Sequence, residues 1–235
     1  MGVWAAVADL VLPAGCAGCG AERVPLRYGA CDACVGELMA LRPGPARPTP
    51  APAGLPLCGA LGPYAGVLRE ALLAYKERGR HGLAVPLGAL LADVVAYRLG
   101  GAPVRVLLVP VPDTARAARS RHGAHIRRLA GHAAGGLPRA GSPAAVARPL
   151  RARSRADSAE LDRVERLAAS ADAFHMAPGR APVLRRAAAG RAVVVVDDIL
   201  TTGATLAAIS GRLAGAGVTV RAGAVLAATQ LRRGG

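Results

Sequence analysis

Residues 193–206 read Val193-Val194-Val195-Val196-Asp197-Asp198-Ile199-Leu200-Thr201-Thr202-Gly203-Ala204-Thr205-Leu206. Four consecutive valines have the composition of a buried strand, because a strand covered on both faces need not alternate. Two carboxylates close that strand at its C-terminal end, where open α/β sheets bind their ligands. Thr201 to Thr205 then form a short loop that opens a helix over Thr205–Ala214. Unpaired N–H groups at a helix start suit a phosphate, and Gly203 lets the backbone approach it closely. The threonine hydroxyls add donors. Carboxylates do not hold phosphate directly, but they accept from sugar hydroxyls or bind magnesium. The stretch therefore points to a sugar-phosphate site. A strand, a turn and a Thr-capped helix start is the plainer alternative, and it leaves the paired Asp-Asp without a reason.

Working outward, the pattern alternates strands and helices. Val67, Leu68, Ala71, Leu72 and Tyr75 recur at helical spacing, and a second helical run covers Leu83–Leu99. Val104–Val109, closed by Pro110, predicts another buried strand. Arg116–Ala134 is basic and helical in its later part. A short strand is expected at Ala145–Leu150, a charged helix at Asp157–Ala169, and a last strand at Val218–Ala228. Such alternation predicts a mostly parallel α/β sheet flanked by helices.

Four of the five cysteines fall close together, as Cys16, Cys19, Cys31 and Cys34. Two C-x-x-C knuckles can set four thiolates tetrahedrally around one zinc, in a closed structural site. Cys58 stands apart and reads as a small buried hydrophobe rather than a fifth ligand. From Arg42 to Pro56 the chain is dense in proline, which predicts a semi-rigid extended linker. The expected organisation is a module over residues 1–58 (N-terminal helix, zinc knuckle and linker), then an α/β domain over 59–235.

The 193–206 stretch resembles the fingerprint of type I phosphoribosyltransferases, which bind phosphoribosyl pyrophosphate (PRPP). The resemblance implies that Asp197 and Asp198, the candidate catalytic pair, contact the ribose hydroxyls. It assigns Thr201, Thr202, Gly203, Ala204 and Thr205 to the 5′-phosphate, with Mg²⁺ accompanying PRPP. The 6-oxopurine enzymes place an aspartate where this chain has Thr201, so it does not resemble that subclass. Together, the knuckle, the proline-rich join and this domain resemble the ComF family (ComFC/GntX-like). Tyr64–Arg80 with Lys76 and Gly79, Val109-Pro110-Val111-Pro112, and Leu150–Arg153 carry the wider likeness. Where the family usually shows Arg-Gly-Phe-Asn-Gln, this chain has Arg121-His122-Gly123-Ala124-His125.

That resemblance implies a phosphoribosyltransferase-like sheet and transfer of phosphoribosyl to a nitrogenous acceptor. Its alternative is a single-stranded-DNA-binding competence protein of DNA uptake and natural transformation, working without turnover beside helicase-type proteins. Lys76, Arg121 and Arg153 are the candidate cations for the leaving pyrophosphate. His122 and His125 read as exposed loop histidines before acid–base groups. Lys76 is also the chain's one lysine, in a composition that elsewhere uses arginine.

The 235 residues carry a formal charge of +15. That excludes an acidic solvating chain and predicts an anionic partner. The excess is local. Residues 1–60 are neutral, whereas residues 101–190 hold sixteen basic against six acidic groups, a net +10. Six aromatic residues offer little for stacking bases. Met1–Leu12 is apolar, but it lacks a basic start and carries Asp9. A short amphipathic helix and a cytoplasmic, uninserted protein are the expectation.

Overall fold

The computed structural model describes residues 15–101, 103–112, 125–137, 141–152 and 173–229. Helix α1 (Asp32–Ala40) leads to strand β1 (Gly44–Ala46), β2 (Cys58–Pro63) and α2 (Gly66–Glu77). A 3₁₀ turn (His81–Leu83), α3 (Ala84–Arg98), β3 (Val106–Pro110) and α4 (His125–Gly136) follow. Then come β4 (Ala144–Val146), β5 (Leu150–Ala152), β6 (Phe174–Met176) and α5 (Arg180–Ala188). The chain closes with β7 (Ala192–Leu200), α6 (Ala204–Gly215) and β8 (Ala222–Ala228).

Six strands form one sheet in the order β1-β2-β8-β7-β3-β4. Only the β1–β2 pair is antiparallel; every other neighbour is parallel. Strands β5 and β6 make a separate antiparallel pair. No helix among the described residues is long and apolar enough to cross a membrane.

The valine run forms the sheet's centre because both its faces are covered. Val194 and Val196 join Val106, Leu108 and Leu226 in a core under α2, α3 and α4. Val193 and Val195 join Leu107, Val109 and Val225 in a second core under α6. Helices α3 and α4 cross closely at Gly88. A Cβ there would lie 2.4 Å from the His132 Cβ and 3.1 Å from the Leu129 carbonyl oxygen. On the sheet, Gly59 accommodates Arg98, whose Cδ would be 2.6 Å from an added Cβ.

Two expectations change. The proline-rich segment, expected as a semi-rigid extended linker, also contributes an edge strand, since Gly44–Ala46 pairs with Cys58–Ala60. The strand expected at Ala145–Leu150 is two strands, β4 and β5, interrupted at Arg148-Pro149, where proline removes a ladder donor. The helix expected over Asp157–Ala169 lies outside the described residues, as do Met1–Leu12, Arg121 and Arg153.

Topology sets the place of the site. The chain leaves β3 outward to β4 and leaves β7 the opposite way, to β8. The helices that follow, α4 and α6, pack on opposite faces. Between the carboxyl ends of β3 and β7 this divergence opens the crevice in which parallel sheets bind ligands.

Candidate functional site

Asp197 and Asp198 stand at that crevice but do not close β7 as expected: the strand runs on to Leu200 against β8, while its pairing with β3 stops at Val196. Successive strand residues face opposite sides of a sheet, so the pair divides. Asp198 faces α2 and α4, and there it is held. The Lys76 Nζ lies 2.8 Å from its Oδ2, with side chains 16% and 7% exposed respectively. The His125 Nε2 lies 3.0 Å from the same oxygen; a carboxylate acceptor calls for the tautomer with the proton on Nε2. The Tyr75 hydroxyl, one residue before Lys76, donates to the His125 carbonyl at 2.8 Å. Its ring meets the imidazole edge-on, with centroids 6.3 Å apart. Helices α2 and α4 are thus tied to one aspartate.

Burial pushes the Asp198 carboxyl up, but the His125 hydrogen bond and the Lys76 ammonium more than offset it and hold it below the ordinary range. Asp197 behaves oppositely. Burial, then the neighbouring Asp198 charge, raises it to about 8. Its Oδ1 accepts the Asp198 N–H at 2.9 Å, and no ion pair reaches it among the described residues. A proton or a cation brought by a ligand would relieve this group.

The sign of the pH effect follows. From the ordinary carboxylate range up to about 8, folded Asp197 keeps a proton that the unfolded chain has lost. Stability then falls as pH rises. Thermal melts from pH 5 to 8 should show this decline in the wild type, and Asp197→Asn should flatten it. Equal slopes in the two proteins would contradict the assignment. The Asp198 contribution runs the other way: it is present above the ordinary carboxylate range and lost on acidification through its lower folded value.

Beyond Leu200 the chain turns through Thr201 and Thr202, both exposed, to Gly203. Gly203 adopts φ +78° at the start of α6, a conformation that favours glycine. It is also enclosed, since an added Cβ would meet Leu55 Cδ1 at 3.0 Å and Pro48 Cγ at 3.3 Å. The proline-rich segment thus braces this loop. Ala207 is bonded to the Gly203 carbonyl at 3.0 Å, and the Ala204 N–H points to Thr202 Oγ1 at 3.4 Å. The first-turn amides that follow are the ones a helix leaves to a ligand or water.

Among the expected site residues, the structure brings Lys76, Asp197, Asp198 and the 201–205 loop together at one sheet end. Lys76, expected toward a leaving group, is instead engaged with Asp198. His125 differs most from expectation. It is a buried helix residue, 7% exposed, not an exposed loop histidine. Nothing local marks it, because its partner is 73 residues away. Arg121, His122 and Arg153 lie outside the described residues.

Cys16, Cys19, Cys31 and Cys34 form a second centre, with all four sulfurs within 4.8 Å of one another. Cys19 and Cys31 Sγ are 3.8 Å apart, close to the spacing that a tetrahedral zinc with Zn–S of roughly 2.3 Å demands. The Gly18 and Cys31 N–H groups point at the Cys16 sulfur, at 3.4 and 3.2 Å. Burial raises Cys16, but the backbone donors of Cys19, Cys31 and Gly18 outweigh it and bring the thiol down to about 6. Burial and the neighbouring sulfurs push Cys34 up. Four crowded thiols cannot all ionise without a cation, so the donor set fits a metal ion such as zinc. Ala17 and Leu38 of this module join the core beneath α2 and α3. Cys58 lies apart, buried in β2; an added Cβ on Gly223 of β8 would come within 2.8 Å of its sulfur.

No family model matches the chain, and a search of curated proteins returns no match.

Proposed function

We propose that the chain binds PRPP, or a closely related sugar phosphate, with Mg²⁺ at the carboxyl end of β7, in the manner of a type I phosphoribosyltransferase. The observation that carries this is the acid pair at a topological switch point, followed after Ile199 and Leu200 by the Gly203 loop at a helix start. In this reading the 201–205 amides and threonine hydroxyls take the 5′-phosphate. Asp197 accepts from the ribose hydroxyls. Lys76 and His125 hold Asp198 on the opposite face of the strand, so the neighbouring Asp197 is presented to the sugar in one geometry. Magnesium would arrive on the pyrophosphate and offset the charge that raises Asp197. ComF-like membership, with its four-cysteine zinc module, belongs to the same proposal.

The leaving pyrophosphate is assigned to the β3 side. Val111 donates to the Val196 carbonyl at 3.0 Å, and His125 is bound to Asp198. Arg116, Arg119 and Arg121 fall between Val111 and His125 in the sequence. Cations there would neutralise developing charge on the leaving group, and transferase activity would follow from positioning and that neutralisation.

The net +10 of residues 101–190 also supports a second reading, a track for single-stranded DNA. Salt separates the two. Binding of PRPP with Mg²⁺ and of a single-stranded 20-mer should be compared between 50 and 200 mM salt. A pocket ligand should bind once per chain and weaken modestly. A strand making six to ten phosphate contacts should lose ~10³–10⁵ in affinity. If the oligonucleotide binds with that steep dependence and PRPP neither binds nor competes, the DNA reading replaces this one.

A further inference from the structure

The four clustered cysteines are not equally open to an oxidant. Cys16 and Cys34 are buried, at 4% and 2% exposure, whereas Cys19 is exposed and Cys31 half-buried. The Cys19 and Cys31 sulfurs lie 3.8 Å apart, across the two knuckles. Holding a metal ion keeps the sulfurs as thiolates, and the thiolate is the form that attacks an oxidant. Cys58 is the contrast. It is buried in β2, its thiol is pushed up to about 11 by that burial, and it donates to the Pro56 carbonyl at 3.2 Å.

The cluster is also joined to α2. An added Cβ on Gly18 would lie 2.7 Å from Cys34 Sγ and 2.9 Å from Val67 Cγ1, so the first knuckle is pressed between the second and the start of α2. Ala17 is buried in one core with Leu68, Ala71 and Leu72 of that helix. Arg80, just beyond the end of the helix, donates to the Gly15 carbonyl. The same helix carries Tyr75 and Lys76 to His125 and Asp198.

We propose that Cys19 and Cys31 are an oxidant-responsive pair, resting on the metal reading of the four cysteines and not on the sugar-phosphate site: a hydroperoxide joins them as a disulfide, the metal is lost, and the knuckles loosen from α2. The Cys19 thiolate attacks one peroxide oxygen; the O–O bond breaks, hydroxide leaves, and a sulfenic acid forms. The Cys31 thiolate then attacks that sulfur; the S–O bond breaks and a second hydroxide leaves. The two thiolates have given two electrons to the peroxide, and solvent protonates both hydroxides to water. Cys16 and Cys34 alone make half of a tetrahedral donor set, too few to keep the ion. A dithiol reverses the step by exchange with the disulfide.

Full-length, zinc-loaded protein treated with hydrogen peroxide tests this. Released zinc is read with a chromogenic chelator, thiol state by alkylation and peptide mapping, and packing by hydrogen exchange. Zinc should leave in step with formation of a Cys19–Cys31 disulfide, and Cys58 should stay reduced. Protection should fall in α1 and the first turn of α2, and dithiothreitol with added zinc should restore it. Cys19→His keeps four ligands, three cysteines and one histidine, but removes the pair, so it should hold its zinc through the same treatment. Cys58→Ser should behave as the wild type does. Zinc retained by the wild type under peroxide that oxidises glutathione would overturn the proposal. So would a disulfide between any other two cysteines, or zinc-loaded Cys19→His releasing its ion as fast as the wild type. If Cys19→His does not load zinc, the wild-type mapping decides alone. Unchanged protection in α2 after complete release would overturn the coupling to that helix. Protein that takes up no zinc at all would remove the metal reading, and the proposal with it.

Discussion

Asp198→Ala should cost the fold about 3–5 kcal/mol, the usual result of removing one partner from a buried ion pair. In a domain of this size that is roughly a 10 °C fall in melting temperature or more. The cause is what remains behind. Lys76 keeps an ammonium that is only 16% exposed, and His125 loses the acceptor for its Nε2 proton. Helices α2 and α4 also lose their shared anchor. Asp198→Asn should cost less, because an amide oxygen still accepts from one of the two donors. Lys76→Met should be much milder in the Asp198→Asn background than in the wild type, since the two changes remove one interaction. A melting temperature within about 2 °C of wild type for Asp198→Ala would mean that the cluster carries little stability.

Removing metal should have the other large effect. Structural zinc contributes ~10–16 kcal/mol of apparent binding free energy in zinc-finger peptides, and the segment that carries the cysteines has little core of its own. The cluster core holds only Cys16, Ala30 and Cys34 as buried members. The purified protein should carry about one zinc per chain, as structural four-cysteine sites do, and Cys34→Ser should carry none. Chelation should abolish hydrogen-exchange protection in α1 while β3, β7 and β8 keep theirs, because their core lies on both faces of the sheet. Unchanged α1 protection after complete metal loss would contradict a structural role.

What the sequence made legible follows the range of each interaction. The valine strand, the cysteine knuckles and the Leu68–Tyr75 helix are local patterns, and each lies close to where its pattern points. Strand β2 was not legible. Gly59 and Gly62 erase any alternation, and its parallel partner β8 lies far along the chain. Strand β1 was hidden inside a proline-rich stretch, tolerated because it is an edge strand. At the site, the loop residues and the acid pair were legible because they are contiguous. Lys76 stood out only as the lone lysine, and its partner could not be read. His125 was legible only as a loop histidine beside His122; its burial was not, since a buried histidine is made by the carboxylate that folding brings to it. Likewise, nothing in Pro48 or Leu55 says that they will enclose Gly203.

The crevice at the carboxyl end of β7 is proposed to hold a sugar phosphate. Calorimetry of PRPP with Mg²⁺ against the folded, zinc-loaded wild type and Asp197→Asn tests this most directly. Asp197→Asn is nearly isosteric and breaks no ion pair described in the structure, so loss of binding would not reflect unfolding. One PRPP should bind per wild-type chain, and the variant should bind about tenfold or more weakly, because an amide cannot become the charged acceptor that Asp197 becomes when the bound Mg²⁺ displaces its proton. No saturable binding to the wild type, or equal affinity in the variant, would contradict the claim.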